Sequence, residues 1–307
     1  MVDKRQEQPE EPSGETVSFK KYDRRSLTYA NSFDSPVTSM VIRTVEWFTG
    51  KLTILRMIRA FEKRGAPTGQ PFWRAALDTM GIDLLTPQQE VDNIPLTGPV
   101  VVVANHPHGL VDGMILADLI GRRRTDYKIL TRALLTGIDE VAASYMISVP
   151  FPHEPDAQQK SVEMRAAAMA HLREGGVISV FPSGVVASSD TLFGPPVERE
   201  WNVFTAQMIR RSGAAVVPIY FPGSNSRVYQ FANRLSAMLR QSFLLHEVVK
   251  SCHRPQKPVV GKPIEADRMK MLDSDPRGFM TWLRAHTLSL GQKQRDPQRV
   301  GTGTSPR

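Results

Sequence analysis

The sequence predicts an α/β fold, a largely parallel sheet flanked by helices, with an N-terminal amphipathic helical element in front of it. Three observations carry that prediction. From about residue 97 onward, short β-branched runs alternate with segments of helical period. Before them, residues 36–64 repeat apolar positions at helical spacing with basic residues in between. Three of the strand-like runs also end in turns rich in Gly, Pro, Ser and His, and ligands bind at such strand ends in open parallel sheets.

Residues 1–30 are polar, charged and aperiodic, and are expected to be disordered. Val37, Val41, Val45 and Phe48 then recur at helical spacing, and after Gly50 a second run carries Leu52, Leu55, Ile58 and Phe61. Lys51, Arg56, Arg59, Lys63 and Arg64 lie between and after them, so two short amphipathic helices with basic faces are expected. Gly65-Ala66-Pro67-Thr68-Gly69 breaks the pattern, and residues 71–82 read as a further short helix. Val100–Val103 is a strand and 112–121 a helix. Residues 127–130 read as a strand, 131–145 as largely helical and 146–149 as a strand. A strong helix over 158–174 stops at Gly175-Gly176. Residues 177–181 form a strand, 203–211 a helix and 215–221 a strand. A helical segment over 228–249 and a last strand near 258–261 complete the core. The tail from Gln292 is polar and expected to be loose.

Composition bounds the function. A net charge of +8 favours anionic partners such as acidic lipid surfaces, nucleic acid or acidic small molecules. A single cysteine, Cys252, excludes an intramolecular disulfide and argues against a structural zinc site. The N-terminus lacks the apolar core of a secretory signal, and no window approaches the ~20 apolar residues that span a bilayer. The expectation is a protein on the cytoplasmic face of a membrane, peripheral to it. No nucleic-acid recognition module is evident, so nucleic acid is not an expected partner.

The most telling stretch is Asn105-His106-Pro107-His108-Gly109-Leu110-Val111-Asp112-Gly113, between a strand and a helix. It sets an imidazole at the turn and a carboxylate near the helix start, the simplest device for drawing a proton from a hydroxyl or amine. Two more turns, Phe181-Pro182-Ser183-Gly184 and Phe221-Pro222-Gly223-Ser224-Asn225-Ser226, follow other strands. Gly permits close approach of a ligand to the backbone, and Ser and Asn can hydrogen-bond a head group.

The first of these stretches resembles the leading motif of the glycerolipid and lysophospholipid acyltransferase superfamily. Five residues separate His106 from Asp112 where most members have four. That spacing is similar to a haemolysin-labelled bacterial branch, which includes lyso-ornithine-lipid and related amino-lipid acyltransferases. Phe181-Pro182-Ser183-Gly184 resembles the family's Phe-Pro-x-Gly block, the run from Val217 to Ser226 its Pro-rich fourth block, and Gly261-Lys262-Pro263-Ile264 its closing strand. The resemblance implies an acyltransferase domain over about 31–290, with a helical element at about 36–82, an α/β core at about 97–266 and a flexible tail at 291–307.

It also implies a reaction. A fatty acyl group passes from acyl-carrier protein or coenzyme A, as co-substrate, to a lyso-lipid acceptor. No metal and no bound cofactor are implied. His106 and Asp112 would be the catalytic pair, with His106 set by the family's register and His108 the alternative on the residues alone. Asn105, His108, Gly109, Phe181, Pro182, Ser183, Gly184, Gly223, Asn225 and Ser226 would contact substrate, and backbone N–H groups near Gly109 or Gly184 would hold the oxyanion. Ser183 stands where glycerol-phosphate acyltransferases usually carry Glu, and no Arg occurs in Ile147–His153. Both departures point away from a glycerol-phosphate acceptor and toward an amino-lipid or another lyso-lipid. The rival readings are a thioester or lipid hydrolase and a non-catalytic lipid-binding protein. An anionic membrane surface is an expected partner in every case.

Overall fold

The computed structural model describes residues 27, 28, 30, 35–132, 140–150, 154, 156–191, 194–235, 240 and 242–295. Strand β1 (Val100–Ala104) lies inside a six-stranded sheet, and all five of its residues are fully buried. A strand covered on both faces reads as a continuous apolar run rather than an alternating one, which is why its sequence is an unbroken valine stretch. The other strands are β2 (Tyr127–Arg132), β3 (Met146–Val149), β4 (Val177–Val180), β5 (Ser188–Ser189), β6 (Pro196–Val197), β7 (Ala215–Tyr220) and β8 (Val259–Val260). The main sheet runs β3-β2-β4-β1-β7-β8, with only β8 antiparallel, and β5 and β6 form a separate small hairpin.

The helices are α1 (Pro36–Glu46), α2 (Leu52–Lys63), α3 (Pro71–Thr79), α4 (Gln88–Val91), α5 (Leu110–Gly121), α6 (Glu140–Ser144), α7 (Ala157–Arg173), α8 (Val203–Ser212), α9 (Arg227–Leu235), α10 (Leu244–Ser251), α11 (Ala266–Met269), α12 (Met271–Ser274) and α13 (Pro276–Arg295). Val100, Val102 and Ala104 face one core, shared with Trp73 and Leu77 of α3, Ile115 and Leu119 of α5, and Leu245 of α10. Val101 and Val103 face the other, shared with Leu172 of α7, Ile209 of α8 and Phe279 of α13. The period-2 pleat of one strand thus feeds two apolar layers.

Several expected elements shift. Gly50 breaks the N-terminal pair as anticipated, through a π-helical turn over Trp47–Lys51. In α1 the buried face is Ile42 and Glu46, whereas Val37, Met40 and Phe48 are exposed. Glu46 is buried because Thr28 Oγ1 donates to its carboxylate at 2.6 Å. Leu27 and Thr28 are therefore packed, although the tail containing them was expected to be disordered. Within the helix expected over 131–145, β2 continues to Arg132, α6 spans 140–144, and 133–139 lie outside the described residues. The long helix expected over 228–249 is interrupted by a turn at Phe243 among the described residues, with α9 before it and α10 after it. The stretch expected to be loose from Gln292 is helical as far as Arg295, where α13 ends, and 296–307 lie outside the described residues.

Arg122, Arg123 and Arg124 fasten the end of α5. Arg122 pairs with Asp118 at 2.6 Å, Arg123 with Asp92 at 3.3 Å, and the buried Arg124 donates to the carbonyl of Gly98 at 2.7 Å. Among the described residues, no helix is long and apolar enough to cross a membrane.

Candidate active site

Because β4, β1 and β7 are neighbours in parallel register, their carboxyl ends lie side by side. The three turns singled out in the sequence follow those three ends and meet at one edge of the sheet. Asn105 closes the join between two of them. Its side-chain amide donates to Phe221 O at 2.9 Å and accepts from Phe221 N at 2.7 Å, prolonging the β1–β7 ladder by one side-chain rung.

Gly109, at φ 87° and ψ −126°, precedes the first turn of α5, where a side chain would be strained. Asp112, on that turn, is fully buried and accepts four hydrogen bonds. Its Oδ2 takes His108 N at 2.8 Å, Gly109 N at 3.1 Å and His106 Nδ1 at 3.0 Å, and its Oδ1 takes His108 Nδ1 at 2.9 Å. Burial opposes its charge, but His108 and the donated hydrogen bonds outweigh it and hold the carboxyl down at about 2. An ionised carboxylate only accepts, so both imidazoles donate from Nδ1. In neutral His106 the lone pair then sits on Nε2, which has no hydrogen-bond partner among the described residues.

The two histidines differ in access. The His106 ring is stacked on Phe181, with centroids 3.9 Å apart, and lines a cavity of about 420 Å³. His108 is buried behind Gly223 and does not line that cavity. Burial disfavours its charge, yet Asp112 and then Glu247 raise its pKa above the ordinary value.

Of the residues expected to meet substrate, His106, Gly109, Phe181, Pro182 and Gly184 line the cavity. Six others do not line it, and the surroundings of each are as follows. Asn105 is occupied by the Phe221 backbone, and His108 by Asp112. Ser183 Oγ donates to Val185 O at 3.0 Å inside its own turn. Gly223, at φ 97°, fits against the His108 ring, where a Cβ would come within 2.8 Å of Nε2. Asn225 is buried, and neither atom of its amide has a hydrogen-bond partner among the described residues. Ser226 caps α9, receiving Tyr229 N at 3.1 Å while its hydroxyl and N–H both engage the buried Glu247 carboxylate. The expected oxyanion donors are also engaged, Gly109 N by Asp112 and Gly184 N by Phe181 O at 2.9 Å.

Sequence reasoning missed Glu198. Its Oε2 accepts from His106 N at 3.1 Å and its Oε1 from Trp201 Nε1 at 3.0 Å, so it holds the backbone of the turn at His106. No motif marks it, since the contact spans 92 positions. Among the described residues no group of three His, Cys, Asp or Glu is arranged to hold a metal.

Two predictions follow from this packing. Gly223→Ala should lose about 1–3 kcal/mol of stability, from backbone strain and from displacing His108. Urea unfolding of the variant checks it. Asp112, held below its unfolded pKa, adds stability that is full above about pH 4 and fades as pH falls toward about 2. The stability difference between wild type and Asp112→Asn should therefore shrink across that window in acid titrations.

A family model described as Acyltransferase matches residues 88–222, the span holding the first two turns and the start of the third. The chain is similar to a lyso-glycine lipid O-acyltransferase of Phocaeicola vulgatus, 24% identical over 210 residues, covering 63% of this chain and 72% of that protein. It is similar to another of that name from Bacteroides thetaiotaomicron, 26% identical over 211 residues, covering 63% and 74%. Among solved structures it aligns with the 1-acyl-sn-glycerophosphate (LPA) acyltransferase of Thermotoga maritima at 12% identity and TM-score 0.42, covering 86% and 97%.

Proposed function

We infer that this chain, which belongs to the glycerolipid and lysophospholipid acyltransferase superfamily, moves a fatty acyl group from an acyl thioester to the hydroxyl of a lyso-lipid. The observation that carries this reading is the bond between His106 Nδ1 and buried Asp112, which leaves Nε2 as a base on the cavity wall. His106 Nε2 takes the proton of the acceptor hydroxyl as its oxygen attacks the thioester carbonyl. Asp112 stabilises the imidazolium that results. The tetrahedral intermediate then collapses, the C–S bond breaks, and the imidazolium returns the proton to the departing thiolate. No covalent acyl-enzyme forms. The positive end of α5, at the cavity through Gly109 and Leu110, favours the negative charge developing on the carbonyl oxygen.

His108 is a positioning group in this scheme. It occupies the second oxygen of Asp112 and so fixes the carboxylate plane toward His106. The donor is acyl-carrier protein or coenzyme A, and the acceptor an amino-lipid bearing one acyl chain. The exposed Val37, Met40, Trp47 and Phe48, with Arg43 and Lys51 nearby, suit a peripheral site on an anionic membrane surface.

The test is direct. Purified protein is given a radiolabelled acyl thioester and vesicles containing lyso-glycine lipid. Label appearing in the diacylated lipid is the expected result. Label appearing only as free fatty acid in equal amounts with and without acceptor would overturn the reading in favour of hydrolysis.

A further inference from the structure

The His106 cavity carries a charge pattern that the reaction chemistry alone does not require. Its lining includes Thr131, Ser161, Asn202, Thr205 and Tyr229, which are neutral, and two guanidinium groups, Arg165 of α7 and Arg240. No carboxylate lines it among the described residues. The two arginines come from separate elements, so their meeting is a product of the fold.

Both are held in place by neutral groups. Arg165 Cζ lies 5.1 Å from the centroid of the Phe204 ring, another wall residue, which lays the guanidinium along the cavity side. Arg240 Nη1 donates to Asn233 Oδ1 at 3.3 Å, a neutral acceptor. Its charge also reaches Tyr229, where it partly offsets the burial that pushes the phenol up to about 12. Neither arginine is in an ion pair among the described residues. Unneutralised guanidinium groups facing one concavity make a complementary site for a carboxylate or phosphate.

Two helix starts add to the same sign. Asn202 caps α8 by accepting from Phe204 N at 2.8 Å, and that end of α8 opens on the cavity, as does the start of α5. The positive field is thus built from four elements around one space.

We propose that Arg165 and Arg240 form an anion subsite that holds a charged group of a substrate while His106 acts on its hydroxyl or thioester. The proposal rests on the acyl-transfer reading and adds to it the charge of what is bound. The anion has two possible sources, the head-group carboxylate of the lyso-lipid or the phosphodiester of a phosphopantetheine donor arm. The absence of an Arg in Ile147–Val149 and Pro150, and of Glu at Ser183, makes this a subsite at new positions in the chain.

Binding measurements separate this proposal from the catalytic one, because they need no turnover. N-lauroylglycine, N-lauroylglycine methyl ester and 4′-phosphopantetheine are titrated calorimetrically into wild type, Arg165→Gln, Arg240→Gln and His106→Gln. Both arginine variants should bind an anionic probe at least about tenfold more weakly, as expected for a charged hydrogen bond removed. Loss confined to N-lauroylglycine, with the methyl ester unaffected, assigns the anion to the acceptor. Loss confined to 4′-phosphopantetheine assigns it to the donor, and either result supports the subsite. His106→Gln should retain anion binding, and so should Arg173→Gln, exposed at the far end of α7. Arg165→Lys should recover part of the affinity, because the charge is kept and the fork lost. Unchanged affinity for both anionic probes in both glutamine variants overturns the proposal. Absence of acyl transfer in wild type, with anion binding intact and arginine-dependent, would count against the catalytic reading alone.

Discussion

Replacing His106 with alanine should lower acyl transfer by about 10²–10⁴-fold, the usual contribution of a general base, with about 1 kcal/mol of stability lost. The stability cost is small because of how Asp112 is satisfied. Its Oδ2 keeps the backbone N–H groups of His108 and Gly109 after the ring is gone. His108→Ala should show the reverse balance. It leaves Asp112 Oδ1 buried without its donor, so stability should fall by about 1–3 kcal/mol while a larger share of turnover survives. Steady-state kinetics on both variants, paired with urea unfolding, resolve the two roles. If His108→Ala were the more damaging to turnover and His106→Ala the more damaging to folding, the base would be His108.

Asp112→Asn should cost about 10³–10⁴-fold in turnover, as loss of an orienting carboxylate does in other His-based sites. The reason lies in the donor count. The Asp112 site presents four hydrogens to two oxygens, and an amide can offer acceptors to only one side. The preferred orientation turns the amide oxygen to the three donors at Oδ2. The NH₂ then faces His108 Nδ1, which must shift its proton to Nε2, against Gly223. His106 keeps its place but loses the charge that stabilises its protonated form. Turnover within a few-fold of wild type in this variant would remove Asp112 from the mechanism.

Much of this molecule is legible in its residues. The strands at 100–103, 146–149, 177–180 and 215–220 are signalled by β-branched runs, and the helix at 157–173 by good helix formers ended by paired glycines. The His106–Asp112 spacing is also readable, because both lie within one strand–turn–helix unit. What stayed hidden shares a cause. The stripe of Val37, Val41, Val45 and Phe48 marked an amphipathic helix, and Ile42 and Glu46 are the residues of α1 that the fold buries. Periodicity shows that a helix is amphipathic but not which neighbour covers which side. Asn225 and Ser226 looked like head-group contacts, but Ser226 is engaged with Glu247, 21 positions away, and Asn225 is buried.

The sequence by itself determined the alternating strands and helices, the Asp-braced imidazole turn and the cationic balance of the chain. Each of these is written over stretches of a few to some twenty residues, where backbone preference and apolar period act locally. Only the tertiary structure decided that His106, not His108, lines the cavity, that Asn105 and Ser183 serve the backbone, that Glu198 braces the turn, and that Arg165 and Arg240 share one space. Those outcomes depend on strand order. Placing β1 between β4 and β7 brings together groups that lie from tens to more than a hundred positions apart, and no local pattern records which of them will meet.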